Sequence, residues 1–117
     1  DARDIEDGCK EGNPAALLTA EVYVNRVINV VGGYYAQLGG ADAIVFTGGI
    51  GENDTNMRKM ICDRLSVAFG IQLDEELNGQ TRGKEVLLST AESKVAVWLI
   101  PTNEELMIAR DSYRQFA

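Results

Sequence analysis

Apolar residues recur along the chain in two rhythms, one of helix faces and one of buried strands. From Leu17, the positions Val24, Val27, Val31, Tyr34 and Leu38 return at steps of three, four and seven, and Leu18, Val22 and Ile28 widen the stripe. That spacing predicts one long helix. Asn13-Pro14 opens it, because Asn accepts from free backbone N–H groups and the fixed φ of Pro suits the first helical position. Gly39-Gly40 closes it. Gly32 and Gly33 weaken the helix and leave room for a second backbone to approach. The run DAIVF, Asp42–Phe46, then reads as a short buried strand. Thr47–Asn53, TGGIGEN, reads as a glycine-rich turn into a second helix with Met57, Met60, Ile61 and Leu65 on one face.

Farther along, Phe69–Leu73 predicts a short strand, residues 74–84 read as irregular, and Val86–Leu88 as another short strand. The run VAVWLI, Val95–Ile100, has no polar position, which predicts a strand covered on both faces. Pro101 stops it, and a last helix begins near Asn103 with Leu106, Ala109, Tyr113 and Phe116 on one side. Alternation of helices and strands favours an α/β layer architecture with parallel pairing between the two main strands. The length of 117 residues suits one compact domain.

Composition changes this picture chiefly by exclusion. With 45% apolar and 25% charged residues, the balance is that of a soluble globular protein. A formal net charge of −7 argues against a nucleic-acid binder, which needs a basic surface to displace counterions. It leaves a nucleotide site open, since such sites work through backbone N–H groups and a metal ion. No apolar run is long enough to span a membrane. The chain opens at Asp1 without an initiator methionine, as a cut boundary would, and the acids near it do not resemble a signal peptide. Cys9 and Cys62 lie far apart and read as two reduced thiols. The chain has no histidine, so imidazole chemistry is excluded from these residues.

Three groups carry candidate chemistry, each with a plain structural alternative. In TGGIGEN, Gly48, Gly49 and Gly51 let a ligand approach the main chain, at the carboxyl end of a strand where open α/β sheets bind ligands. The alternative is a tight connection needing positive φ and holding nothing. The run is neither a P-loop nor a Rossmann fingerprint. Glu52 and Asp54 would repel terminal phosphates, so the turn is expected to face the nucleoside end of a nucleotide. In PTNEEL, Thr102 and Glu105 form a capping box. Glu104 is left either to hold a hydrated Mg²⁺ on nucleotide phosphates or to serve the helix dipole. Asp1-Ala2-Arg3 says little by itself: Arg3 can stack on a base or pair with any acid. Trp98, Tyr113, Met57 and Met60 read as packing, and Cys62 has no nearby base to activate it. Arg58 and Lys59 read as solvated.

DAIVFTGGIGEN and IPTNEELMIARD resemble the two C-terminal signatures of the acetate kinases, and DARDIE resembles that family's adenosine-contacting segment. The resemblance runs through the whole chain in the same order. It implies part of a ribonuclease H-like C-terminal lobe, of the superfamily that joins acetate and sugar kinases, Hsc70 and actin, with residues 1–117 lacking the N-terminal domain and the start of the lobe. It implies ATP-dependent phosphorylation of acetate to acetyl phosphate, with ATP or ADP and Mg²⁺ at the site, in a cytoplasmic homodimer that binds neither nucleic acid nor membrane. Carried over by position, Asp1, Ala2 and Arg3 lie against the adenosine, and Gly49, Ile50, Gly51, Glu52 and Asn53 line the nucleotide pocket. Glu104 helps hold Mg²⁺. The family's acetate pocket, catalytic aspartate, arginines and histidine lie upstream, so no catalytic residue is expected here and the chain alone is expected to be inactive. An uncovered sheet edge would make it self-associate. A propionate or butyrate kinase of the same group is one alternative, and a non-catalytic interaction or dimerisation module is another.

Overall fold

The computed structural model describes residues 12–101 and, at Ile50, the main chain. Helix α1, Pro14–Leu38, starts where the sequence predicts. Asn13 Oδ1 accepts from the N–H of Ala15 at 2.9 Å and of Ala16 at 3.2 Å. Gly39 ends the helix at φ 75°, and the Gly40 N–H donates back to the Tyr35 carbonyl at 2.9 Å. The buried face differs from the predicted stripe. Ala20 and Val24 are buried, and Val27, Ile28, Val31 and Tyr35 pack against them, while Tyr34 is 62% and Leu38 75% exposed. The apolar stripe is wider than the helix it packs on, so its margins stay in solvent. No backbone among the described residues comes close to Gly32 or Gly33, against expectation.

Strand β1, Ala43–Phe46, leads into a short helix α2, Gly48–Asn53, and then into α3, Thr55–Phe69. Asp54 caps α3 by accepting from the Met57 N–H at 2.9 Å. The face of α3 that meets α1 and the sheet carries Met57, Ile61, Cys62, Leu65 and Phe69. Phe69 therefore ends a helix and does not begin a strand. Gly70 reverses the chain at φ 65°, and Leu73 makes only an isolated bridge to Ser89. Residues 74–84, read as irregular, contain helix α4, Glu75–Gln80. Asp74 caps it, accepting from the Leu77 N–H at 3.0 Å, and Glu75 and Glu76 sit in its first turn, where acids are favoured.

Strands β2, Val86–Leu87, and β3, Ala96–Leu99, complete a three-stranded sheet of order β1-β3-β2. β1 runs parallel to β3 with Ala43 opposite Ala96 and Phe46 opposite Leu99, as predicted, and β2 is antiparallel to β3. Val97 and Leu99 are wholly buried beneath α1 and α3, while Ala96 and Trp98 are half-buried on the opposite face. So β3 is fully buried on one face and half-buried on the other, where the sequence predicts cover on both. β1 is not the buried strand expected either. Among the described residues it borders the sheet, with β3 on one side, and Val45 is 47% exposed. The Tyr35 and Phe69 rings stack at 4.0 Å, joining the C-terminal turns of α1 and α3. Outside that seam, Arg64 of α3 donates to Glu21 and Asn25 of α1.

Candidate functional site

The parallel pair sets the site. The Ile100 N–H donates to the Phe46 carbonyl at 3.0 Å, so the chain leaves both β1 and β3 at the same edge of the sheet. At that edge Gly48 takes φ 75°, a conformation that costs an L-residue roughly 1–2 kcal/mol. The reversal is finished within this one residue. The segment read as an open glycine turn is consequently a six-residue helix, α2.

Gly51 makes the close fit possible. A Cβ there would meet the Phe46 carbonyl carbon at 3.4 Å and the Phe46 Cβ at 3.5 Å, so the bare main chain lets α2 lie against the end of β1. Gly49 is different: a Cβ there would meet nothing within 4 Å among the described residues. Among those residues its bareness has no packing reason. Asn53 Nδ2 donates to the Gly49 carbonyl at 3.2 Å, which closes the short helix on itself. Gly49, Ile50, Gly51, Glu52 and Asn53 are thereby gathered into one compact elbow beyond the sheet edge. Asp54, expected to face the ligand side, is buried and spends an oxygen on the α3 cap. The Thr47 hydroxyl, at the entrance to the elbow, is buried with no hydrogen-bond partner among the described residues. Asp1, Ala2, Arg3, the Thr102–Glu105 capping box, Glu104 and the predicted last helix lie outside the described residues.

The elbow is anchored by a residue that sequence reasoning misplaced. Arg58, expected in solvent, is 0% exposed. Its Nη1 donates to the carbonyls of Gly51 at 2.9 Å and Glu52 at 3.0 Å. Its Nη2 donates to the carbonyls of Asn78 at 3.1 Å and Thr81 at 2.6 Å, and its Nε to Asn78 Oδ1 at 2.8 Å. Oxygen dipoles take the place of water around the charge. The overlooked signal was spacing: Arg58 stands three residues before Ile61 and four before Cys62, on the apolar face of α3. The loop after α4 adds two more contacts. The Gly83 N–H donates to the Glu52 carbonyl at 3.1 Å, and Arg82 Nη1 donates to the Asn53 carbonyl.

Other groups nearby have structural work. Burial pushes the Cys62 thiol up to about 12, the Asp63 carboxylate adds to the rise, and the Arg58 charge opposes it. That thiol is no nucleophile. Lys59 donates to Asp63 at 2.7 Å and pairs with Glu75 at 3.1 Å, and the Asp63 hydrogen bond raises its pKa most. A cavity of about 200 Å³ lies between α1, β1 and α3, walled by apolar groups such as Val27, Ile44, Phe46 and Ile61. Its lining suits packing and not a triphosphate. Among the described residues no three Cys, Asp or Glu side chains gather into a metal cage. Mg²⁺ shared with nucleotide phosphates needs one or two carboxylates and no such cage, so the donor set is compatible with it.

Comparison with known proteins identifies the setting of this elbow. The model of the Acetokinase family matches residues 1–110. An acetate kinase of Treponema denticola is 54% identical over 112 residues, covering 96% of this chain and 28% of that protein. The crystal structure of Porphyromonas gingivalis acetate kinase superposes with a TM-score of 0.80 at 44% identity, over 100% of this chain and 29% of the other. That of a propionate kinase from Francisella tularensis gives 0.77 at 36% identity, over 93% of this chain and 27% of the other. The chain thus spans 28% of the length of the Treponema denticola relative. Matched from its first residue to residue 110, and sharing an α/β fold with solved acetate and propionate kinases, the chain belongs to the Acetokinase family.

Proposed function

We propose that residues 1–117 are part of the C-terminal nucleotide-binding lobe of an enzyme that transfers the γ-phosphoryl group of ATP to acetate, reversibly, giving acetyl phosphate. The single observation that carries this reading is the open space above Gly49. A glycine with nothing to avoid among the described residues, set beyond the carboxyl end of a strand, is suited to the close approach of a ligand. Family membership supplies the ligand class.

In this reading the elbow Gly49, Ile50, Gly51, Glu52 and Asn53 receives the sugar and base, with Asp1, Ala2 and Arg3 against the adenosine. Glu52 and the −7 net charge disfavour the γ-phosphate at the elbow itself. β3 ends beside β1, so the chain reaches Pro101 at the same sheet edge, and this supports Glu104, three residues farther on in sequence, as the carboxylate for Mg²⁺. Bound there with the nucleotide, Mg²⁺ supplies neutralising charge for the phosphates. The chain's own contribution is to position the nucleotide. Its 117 residues contain no histidine, and the groups that would hold the transferring phosphoryl are assigned to other parts of the enzyme. The isolated chain is therefore expected to be inactive, and the whole enzyme to be a cytoplasmic homodimer. The likeness to a propionate kinase keeps a longer acyl acceptor as a second reading.

The test is a titration of the full gene product, ¹⁵N-labelled at glycine, with Mg-ADP. Saturable shifts of the Gly49 and Gly51 amides are expected. Shifts scattered over unrelated surface glycines would favour a non-catalytic interaction module.

A further inference from the structure

We propose that Arg58 is the positioning residue of the nucleotide elbow: it never touches the nucleotide, yet it sets where the main chain of Gly49 stands. This rests on the reading of α2 as the nucleotide site. A helix of six residues cannot hold its own place, since isolated helices under about 12–15 residues are marginal in water. Its position must come from tethers.

One tether is on the face toward β1, where Gly51 allows contact with Phe46. The others are at the end. The carbonyls of Gly51 and Glu52 accept from Arg58, that of Glu52 also from the Gly83 N–H, and that of Asn53 from Arg82. Two guanidinium groups thus meet the negative end of α2, where cations are favoured. They differ in kind. Arg82 is exposed, whereas Arg58 is wholly buried and makes five hydrogen bonds among the described residues, two to α2 and three to Asn78 and Thr81 at the end of α4.

The acceptors on the far side are themselves held. Asn78 Nδ2 donates to the Thr55 carbonyl at 2.9 Å, and Thr81 Oγ1 to the Leu77 carbonyl at 2.7 Å. Arg58 is therefore a rigid strut between α4 and α2, mounted on the first turns of α3. Only Arg offers five donors in a planar fork that stays charged when buried. Lys has three donors on one atom and cannot span both groups of carbonyls. With the strut removed, α2 shifts on β1, and the Gly49 main chain moves with it. A misplacement on the order of 1 Å in a binding framework is worth roughly a hundredfold in turnover.

The experiment compares the full gene product with its Arg58→Lys and Arg58→Met variants and with Arg64→Met, which loses a surface pair to Glu21 on α1. The readouts are hydrogen exchange at the amides of 52–54 and separate KM values for Mg-ATP and for the carboxylate. Arg58→Lys is expected to lose roughly tenfold or more of amide protection at 52–54 and to raise the Mg-ATP KM about tenfold. The carboxylate KM stays within about twofold, and Arg64→Met changes neither. A purely structural role would lower protection evenly across the core and scale kcat with the folded fraction, leaving both KM values alone. That result, or unchanged exchange at 52–54, overturns the proposal. If Arg58→Met does not fold, Asn78→Ala, which deletes the Nε acceptor, carries the same comparison. If the unmodified protein phosphorylates no short carboxylate, the kinase reading fails by itself, and the exchange data still decide whether Arg58 holds the elbow.

Discussion

Substitution of Gly49 by alanine separates what the elbow needs for folding from what it needs for a ligand. The residue lies in α2 with φ in the ordinary range, and its added methyl would meet no atom within 4 Å among the described residues. Folding should tolerate the change. Ala exceeds Gly in helix propensity by up to about 1 kcal/mol, so stability should stay level or rise by some tenths of that. Binding should respond oppositely. If a nucleotide rests against the main chain here, the methyl occupies its space, and overpacking costs typically about 1–3 kcal/mol. At about 1.4 kcal/mol per tenfold, that is roughly 5- to 150-fold weaker binding. The assay pairs urea unfolding with calorimetric titration of Mg-ADP on the full gene product. Unchanged affinity in a normally stable Gly49→Ala protein would refute the reasoning, because the open space would then have no ligand to explain it. Gly48→Ala is the internal contrast. Its φ of 75° makes it a folding lesion of roughly 1–2 kcal/mol before any ligand is added.

Three further outcomes follow from the same structure. Cys62, held at about 12 instead of 9.0, carries roughly a thousandfold less thiolate at pH 8 than an ordinary thiol, so iodoacetamide should label it only after urea unfolds the chain. Because the folded state keeps a proton that the unfolded chain releases, this contribution is intact below pH 9.0 and is lost as pH rises toward about 12. Between pH 9.0 and 10.5 the urea stability of the parent should fall about 1.6 kcal/mol more than that of Cys62→Ala; an equal fall would contradict the burial effect. Gly70→Ala should cost roughly 1–2 kcal/mol from its φ of 65°. Gly39→Ala, at φ 75° with nothing within 4 Å among the described residues, supplies the reference: a larger loss at Gly70 would mean that the Lys94 side chain, 2.7 Å from the added methyl, does not yield.

Local chemistry made much of this fold legible. Asn13-Pro14 and Gly39-Gly40 bound α1 because caps act on the residues beside them. The parallel pairing of β1 and β3 followed from the alternation of elements, and the TGGIGEN and PTNEEL motifs located the family. The misreadings have two origins. Asp74-Glu75-Glu76 is a cap followed by first-turn acids, but without apolar periodicity it read as irregular, and so α4 was overlooked. β1 has an apolar composition that looks buried, yet burial depends on neighbours, and it has β3 on one side among the described residues.

The sequence by itself determined where α1 begins and ends, that β1 and β3 run parallel, and that the glycines after Phe46 belong to an acetokinase signature. Only the tertiary structure decided what each glycine is for: Gly48 turns the chain, Gly51 packs on Phe46, and Gly49 stands open among the described residues. It alone brought Arg58 in from the solvent to bridge α2 and α4. The physical reason is range. Capping and turn conformations are set within a few residues, whereas the strut joins oxygens 20 and 23 residues from Arg58, and nothing local to its own helix reveals them.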